Sequence, residues 1–195
     1  MKSMKRRKRN MLFILSALAL VFAAVIFWPE DKDIEKRVMK NREKYIEILR
    51  STGRPGLDEV IYHLDSLGFF TFPGGSGHHT GKGGLTEHSL EVFRIMRCLS
   101  WFQSYDSIVM VGLFHDMGKI EEGWHPYRSV KLLGEWGFSL TEREYNIILR
   151  HHRHGLRYYR SHLRRSLTIA DYLSGGWWKL RHLRQKKTIP DHIYD

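Results

Sequence analysis

Histidine and aspartate residues recur beside apolar, helix-like segments of this 195-residue chain. The pair His115-Asp116 closes the apolar run Val109–Phe114 and is followed by Met117-Gly118-Lys119. The other candidates of this kind are His88, His125, His151, His152 and Asp171. Imidazole and carboxylate groups together suit Fe, Mn, Zn or Ni, and facing helices can point such side chains inward. The pattern predicts a metal site inside a helical bundle.

The position of Asp116 beside His115 suggests that its carboxylate bridges two metal ions while the imidazole binds one of them. Two divalent ions about 4 Å apart can activate a water molecule and hold a phosphoryl oxygen. A buried Asp116 or Asp171 would be costly without a cation nearby. The remaining helical histidines are interpreted as ordinary core or surface residues: His63, His162, His182 and His192.

Helical periodicity dominates the chain after residue 32 and defines an all-α fold class, because no convincing strand alternation exceeds four residues. The predicted helices cover 33–51, 57–67, 85–102, 107–117, 126–136, 142–153 and 161–174. Thr141 and Glu144 form a capping-box pattern, and Pro126 suits a first helical turn. Phe69–Gly84, with Pro73 and six glycines, is predicted to be a loop without a regular element.

Composition excludes several classes of protein. Hydrophobic residues make up 42% of the chain, enough for a core, so a wholly disordered protein is excluded. The single cysteine, Cys98, excludes an intramolecular disulfide framework and any multi-cysteine zinc site. The net charge of +11, from 32 basic and 21 acidic residues, is concentrated towards the two ends of the chain.

The N-terminus has the pattern of a single-pass membrane anchor. The basic flank 1–10 precedes Met11–Trp28, which is apolar except for Ser16 and would form a helix about 27 Å long. A cleaved signal peptide is the alternative, with Val21-Phe22-Ala23 as the cleavage pattern. The basic flank favours an extracytoplasmic globular part, although the basic residues of the predicted stalk 29–56 dilute this bias.

The region from Arg150 to Lys187 contains eleven basic residues and one acid, interleaved with Tyr158, Tyr159 and Trp177-Trp178. Arginine beside aromatic residues suits a nucleotide or single-stranded nucleic acid. Contact with anionic lipid headgroups is an equal alternative, and a solvated basic face is a third. The last part of this region, residues 177–195, is interpreted as a basic tail.

The ligand types occur in an order that resembles the HD-domain metal-dependent phosphohydrolases, which are named for their His-Asp pair. The matching residues are His88, His115-Asp116 and Asp171, within a predicted domain of residues 57–176. The segments Phe69–Pro73, His78-His79 and Gly83–Leu90 are similar to small bacterial and phage HD hydrolases and to the HD domain of certain 3′→5′ exoribonucleases. The chain departs from the family at Gly74 and Gly75, where alanine and serine are common.

The resemblance implies a binuclear centre. The first metal would be bound by His88, His115, Asp116 and Asp171. Asp116 would bridge to a second metal, bound by His125 with His152 or His151. Successive helical residues point about 100° apart, so only one of that pair is expected to be a direct ligand; the alignment favours His152, and both are retained.

The resemblance also implies which residues meet the substrate. Asp116 and Lys119 would be catalytic, and His79, Lys82 and Lys119 would bind substrate, with Lys82 in a glycine-rich loop that can hold an anion. The implied reaction is hydrolysis of a phosphate ester of a nucleotide or nucleic-acid end. A non-catalytic nucleotide-sensing or partner-binding module is the alternative from another class. Oxidative chemistry at a di-iron centre is a second enzymatic alternative.

Overall fold

The computed structural model describes residues 33–75, 78–152 and 161–188, with side chains described to residue 179. This part of the chain contains seven α-helices and two short 3-10 helices, and no strand. The α-helices are α1 (Ile34–Arg50), α2 (Leu57–Ser66), α3 (Gly84–Leu99), α4 (Tyr105–Phe114), α5 (His125–Glu135), α6 (Glu142–Leu149) and α7 (His162–Thr188). The predicted all-α class is confirmed.

Helix α1 belongs to the packed domain. Its first turn is capped by the Asp33 carboxylate, which accepts a hydrogen bond from the Lys36 N–H at 3.2 Å. One face carries buried Val38, Tyr45 and Leu49, and the Tyr45 hydroxyl donates to the Leu113 carbonyl at 2.8 Å. The range 29–56 is predicted as a helical stalk or linker, and the described part of it contributes core residues.

Helix α2 forms as its pattern predicts, with Leu57, Val60, Ile61 and Leu64 buried. The expectation that 69–84 holds no regular element was wrong at its first residues, where Phe69–Thr71 form a 3-10 helix. Gly68 ends the preceding turn in the left-handed conformation, with φ 70°. The chain then turns back so that both phenylalanine side chains enter the core.

Helix α4 is the central element and is apolar on all sides. Residues 108–114 of this helix are all buried, which explains why they show no amphipathic pattern. Helix α3 packs against both α4 and α7. The approach of α3 to α4 is close at Gly112, where a Cβ atom would lie 3.0 Å from the Phe93 Cα. This packing brings the first turns of α3, the end of α4 and the interior of α7 to one place.

Helices α5 and α6 begin as predicted. Pro126 lies in the first turn of α5, and Thr141 and Glu144 form a complete capping box at α6. Glu144 is also buried and accepts hydrogen bonds from Arg54 and Ser107, each at 2.8 Å. The linker before α2 is thereby tied to α6.

Four predicted helix ends differ from the structure by three or more residues. Helix α3 ends at Leu99 instead of Phe102, and α4 ends at Phe114 instead of Met117. Helix α6 ends at Leu149 instead of Arg153, and α7 continues to Thr188 instead of stopping at Ser174. Trp177, the first residue after the predicted domain 57–176, is buried in the core. None of the helices in the described ranges combines the length and apolar character that a membrane crossing requires. The predicted anchor 11–28 and flank 1–10 lie outside those ranges.

Candidate metal centre

The structure brings two predicted metal-ligand groups together around one carboxylate. The first group consists of His88, His115, Asp116 and Asp171, and the second of Asp116, His125, His151 and His152. In each group, the potential ligand atoms lie within 4.8 Å of one another. Asp116 is the only residue common to both groups.

The two oxygen atoms of Asp116 face different groups. Oδ2 lies 3.3 Å from His88 Nε2 and 3.6 Å from His115 Nε2. Oδ1 lies 3.0 Å from His125 Nε2 and 3.5 Å from His151 Nε2. This is the arrangement that a bridging carboxylate requires, since each oxygen can bind a different cation.

Helix ends orient two of the imidazoles. His115 follows the last residue of α4, and its Nδ1 donates to the Gly112 carbonyl at 3.0 Å. His151 follows the end of α6, and its Nδ1 donates to the Ile148 carbonyl at 2.7 Å. The last carbonyls of a helix lack intrahelical partners, so they can accept these protons. Each ring then carries a lone pair on Nε2, the atom directed at Asp116.

The turn after the His-Asp pair is held by a serine and a glycine. The Ser129 hydroxyl accepts from the Gly118 N–H at 2.8 Å and donates to the His115 carbonyl at 3.1 Å. A Cβ atom at Gly118 would lie only 2.4 Å from the His125 carbonyl oxygen. Only glycine therefore lets α5 approach the turn closely enough to place His125 beside Asp116.

His151 and His152 both face the centre. This differs from the expectation that only one of these two successive residues would point towards the metal ions. That expectation assumes that both residues belong to a helix, whereas α6 ends at Leu149. Their ring centroids lie 4.2 Å apart, and His152 Nε2 shares a 2.8 Å hydrogen bond with His125 Nε2. His151 is the more buried of the two and lies closer to Asp116.

Several buried ligand atoms make no hydrogen bond with any residue that the structure describes. They are His88 Nε2, His115 Nε2, His151 Nε2 and Asp116 Oδ1. Leaving a buried polar atom unpaired costs about 1–3 kcal/mol. All four point into the two groups, so one or two cations would satisfy them together. The donor set of imidazoles and carboxylates therefore fits divalent transition metals.

The electrostatics of the site also suit cations. Burial lowers the pKa of His115 to about 3, which keeps the imidazole neutral and able to bind a metal. Burial opposes the charge of Asp116, but the imidazoles around it, led by His115, hold its pKa well below the usual range. Burial likewise opposes a proton on His88, yet Asp116 and Asp171 raise its pKa to about 9. A proton there occupies the place that a metal would take.

Of the three residues predicted to bind substrate, two lie at the metal centre and one lies at the surface. Lys119 lies one turn after the pair, and its ammonium donates to Asp116 Oδ2. His79 is buried, with its ring centroid 5.2 Å from that of His88. The Lys82 ammonium lies 2.6 Å from Glu35 Oε1 on α1, at the surface. The structure therefore brings Lys119 and His79 to the centre and pairs Lys82 elsewhere.

Three residues beside the centre were given no role in the predicted site, although one of them, His78, lies in a segment that carries the family resemblance. Glu91 and Ser174 are buried behind His88, and half-buried His78 has its ring centroid 5.1 Å from that of His88. Glu91 follows His88 by three residues, and Ser174 follows Asp171 by three. Residues three apart share a helix face, so this spacing was an available signal.

The family comparison agrees with this geometry. A family model described as the HD domain matches residues 85–176, the range from the start of α3 past Asp171. This match, over slightly less than half of the chain, is consistent with the HD-domain superfamily. Neither the curated proteins nor the solved structures include a match.

Proposed function

We propose that the chain is a membrane-anchored phosphohydrolase that uses two divalent metal ions to hydrolyse a phosphate ester of a nucleotide or a nucleic-acid end. The observation that carries the proposal is Asp116, whose two oxygens face two separate sets of imidazoles. HD domains are generally metal-dependent hydrolases, which supports the reaction class. Mn, Fe, Zn and Ni all suit the donor set.

The residues divide into metal-binding and substrate-binding roles. His88, His115 and Asp171 would hold the first ion with Asp116, and His125, His151 and His152 would complete the second group. Bound divalent ions supply an activated water at neutral pH and positive charge for a phosphoryl oxygen.

Lys119 is the residue of this chain best placed to meet the substrate. Its ammonium lies at Asp116, and its side chain is 25% exposed. A cation in the first group would compete with this ammonium for Asp116 Oδ2. The displaced ammonium would then be free to bind a phosphate oxygen as a compact positive charge.

The membrane anchor and the substrate rest on different observations. The apolar segment Met11–Trp28 supports the anchor, and the basic segment that begins at Arg150 supports a polyanionic substrate or anionic lipid. The basic flank before the anchor supports an extracytoplasmic domain. Fusions of a cytoplasmic and an export-dependent reporter to the C-terminus test the side; activity of the cytoplasmic reporter alone would overturn this orientation.

The reaction is tested with the full-length chain purified in detergent. Elemental analysis measures metal per chain, and hydrolysis of bis(p-nitrophenyl) phosphate, p-nitrophenyl phosphate and nucleotides measures activity. About two metal ions per chain and phosphoester hydrolysis are expected for the wild type. Asp116→Ala should lose both, and His115→Ala should lose hydrolysis together with the ion of the first group. His63→Ala, whose ring stacks on Trp136 outside the centre, should lose neither.

Two results would contradict the proposal in distinguishable ways. A folded wild type that takes up no Mn²⁺, Fe²⁺, Zn²⁺ or Ni²⁺ would favour the non-catalytic binding module. A metal-loaded chain that hydrolyses no phosphoester but shows oxygen-dependent turnover would favour di-iron oxidation.

A further inference from the structure

A buried chain of polar groups lies behind His88, on the side away from the metal-ligand groups. His88 Nδ1 lies 3.1 Å from the Ser174 hydroxyl oxygen. The Ser174 hydroxyl lies 2.8 Å from Glu91 Oε2, and His79 Nε2 lies 3.2 Å from the same oxygen. All four residues are buried.

The chemistry of these groups sets the direction of the hydrogen bonds. A carboxylate only accepts, so the single Ser174 hydroxyl proton is donated to Glu91. The Ser174 oxygen must then accept its other hydrogen bond from His88 Nδ1–H. A neutral His88 with its proton on Nδ1 has its lone pair on Nε2, and that atom lies 3.2 Å from Asp171 Oδ1 and 3.3 Å from Asp116 Oδ2.

His88 needs this side-chain partner because of its position. His115 and His151 follow helix ends and donate their Nδ1 protons to backbone carbonyls three residues earlier. His88 lies inside α3, where the preceding carbonyls are engaged by the helix. Its Nδ1 proton is taken instead by a serine from α7.

We propose that Glu91 is a positioning residue that acts through Ser174 to fix the tautomer and ring direction of His88 for metal binding. The inference deepens the proposed function and rests on it. His79 supports the arrangement, since a second donor on the same Glu91 oxygen favours the ionised, accepting form. Residues behind a metal ligand commonly change metal affinity about 10- to 100-fold when they are removed.

The test compares Ser174→Ala with Ser166→Ala in the full-length chain. Ser166 is a matched control because it is also a buried serine of α7, and its hydroxyl bonds Ser100 and the His162 carbonyl, away from the centre. Zn²⁺ affinity is measured by competition with a chelator, and thermal unfolding of the metal-free chains measures their stability. We expect both variants to lose stability, but only Ser174→Ala to bind one of the two Zn²⁺ ions about 10- to 100-fold more weakly.

A spectroscopic readout separates positioning from a structural role. In the Zn²⁺-loaded chain labelled with ¹⁵N-histidine, the His88 Nδ1–H proton should give a slowly exchanging signal. That signal should be lost in Ser174→Ala and kept in Ser166→Ala. Glu91→Gln keeps an accepting oxygen but removes the charge, so it should also weaken Zn²⁺ binding, but by less than Ser174→Ala does. This variant tests the same hydrogen bond if Ser174→Ala does not fold.

The outcomes distinguish this inference from the function on which it rests. If the wild type binds Zn²⁺ and Ser174→Ala or Glu91→Gln binds it as tightly as Ser166→Ala, the positioning role is wrong and the metal centre stands. If the wild type binds no metal at all, the metal centre itself is wrong, and the inference fails with it.

Discussion

The hydroxyl of Tyr45 donates a 2.8 Å hydrogen bond to the backbone carbonyl of Leu113, two residues before His115. Tyr45 is fully buried, and its ring contacts those of Phe69 and Phe70 with centroids 5.3 and 5.6 Å away. Burial raises its pKa well above the usual value, so the hydroxyl stays protonated and able to donate. Helix α1 and the helix that presents the His-Asp pair are therefore parts of one packed unit.

Replacing Tyr45 with phenylalanine should destabilise the domain by about 1–3 kcal/mol, because a buried carbonyl loses its side-chain donor. Chemical denaturation of the full-length chain measures the loss. Tyr62→Phe is the matched control, since Tyr62 is 64% exposed and its hydroxyl is not needed for packing. Equal stability of the two variants would contradict a structural role for the Tyr45 contact.

Replacing Gly118 with alanine should disturb the metal centre as well as the fold. The added Cβ would lie 2.4 Å from the His125 carbonyl oxygen and 2.5 Å from the Ser129 nitrogen, so α5 must move away from the turn. The thermal unfolding temperature and the metal content per chain should both decrease. Gly134→Ala is the control: a Cβ there has no atom within 4 Å, and alanine in a helix should stabilise by about 1 kcal/mol.

Removing ligands from one group should leave the other group able to bind. We expect Asp171→Asn to lose the ion of the first group and His125→Asn to lose that of the second, with about one metal ion per chain remaining in each variant. Asp116→Asn should lose both, because each group uses one of its oxygens. Elemental analysis measures the number of metal ions per chain. Asp58→Asn is the control, because Asp58 forms an exposed ion pair with Arg50. Equal loss in all three ligand variants would argue against two separate groups.

Glu144 should make the stability of the domain depend on pH in the acid range. Burial opposes its charge, but hydrogen bonds from Arg54, the Thr141 backbone and Ser107 lower its pKa below the usual value. A carboxylate whose pKa is lowered by folding stabilises the protein above its unfolded pKa of about 4.3. That contribution is lost as the pH falls through the lower, folded-state pKa.

The measurement is the free energy of unfolding of the wild type and Glu144→Gln between pH 7 and pH 3. The difference should be largest near neutral pH and should shrink in acid, where the wild-type carboxyl is protonated. Glu142→Gln changes an exposed residue of the same helix and should show a small difference. A Glu144→Gln difference that stays constant with pH would contradict the role of the charge.

Short-range patterns explain which parts of the fold were predictable. The helices, the capping box at Thr141 and the position of Pro126 depend on neighbours within a turn, and the structure agrees with them. The end of α7 was not predictable in this way. Gly175 and Gly176 indicate a helix end, yet the helix continues past them, and a Cβ at Gly175 would lie 3.0 Å from the His78 ring. This glycine makes room for a side chain from a distant loop.

In the candidate site, too, local patterns were predictable from the sequence and long-range contacts were not. Ligand types at helix ends were visible in the sequence because His115-Asp116 interrupts an apolar run. The contact between Glu91 and Ser174 was not visible, because it depends on the packing of α3 against α7, which brings together residues 83 positions apart. His151 and His152 were both retained as candidate ligands, but the expectation that only one of them faces the centre assumed helical geometry, whereas α6 ends at Leu149.

The shared carboxylate of Asp116 makes the two ligand groups one thermodynamic system. A cation held by the first group would withdraw charge from the carboxylate and fix its plane, and both effects change the attraction of the second group for a cation. Reciprocity requires the coupling free energy to be the same whichever ion arrives first. The chain is therefore expected to fill its two places cooperatively or in strict succession, and not as two independent sites.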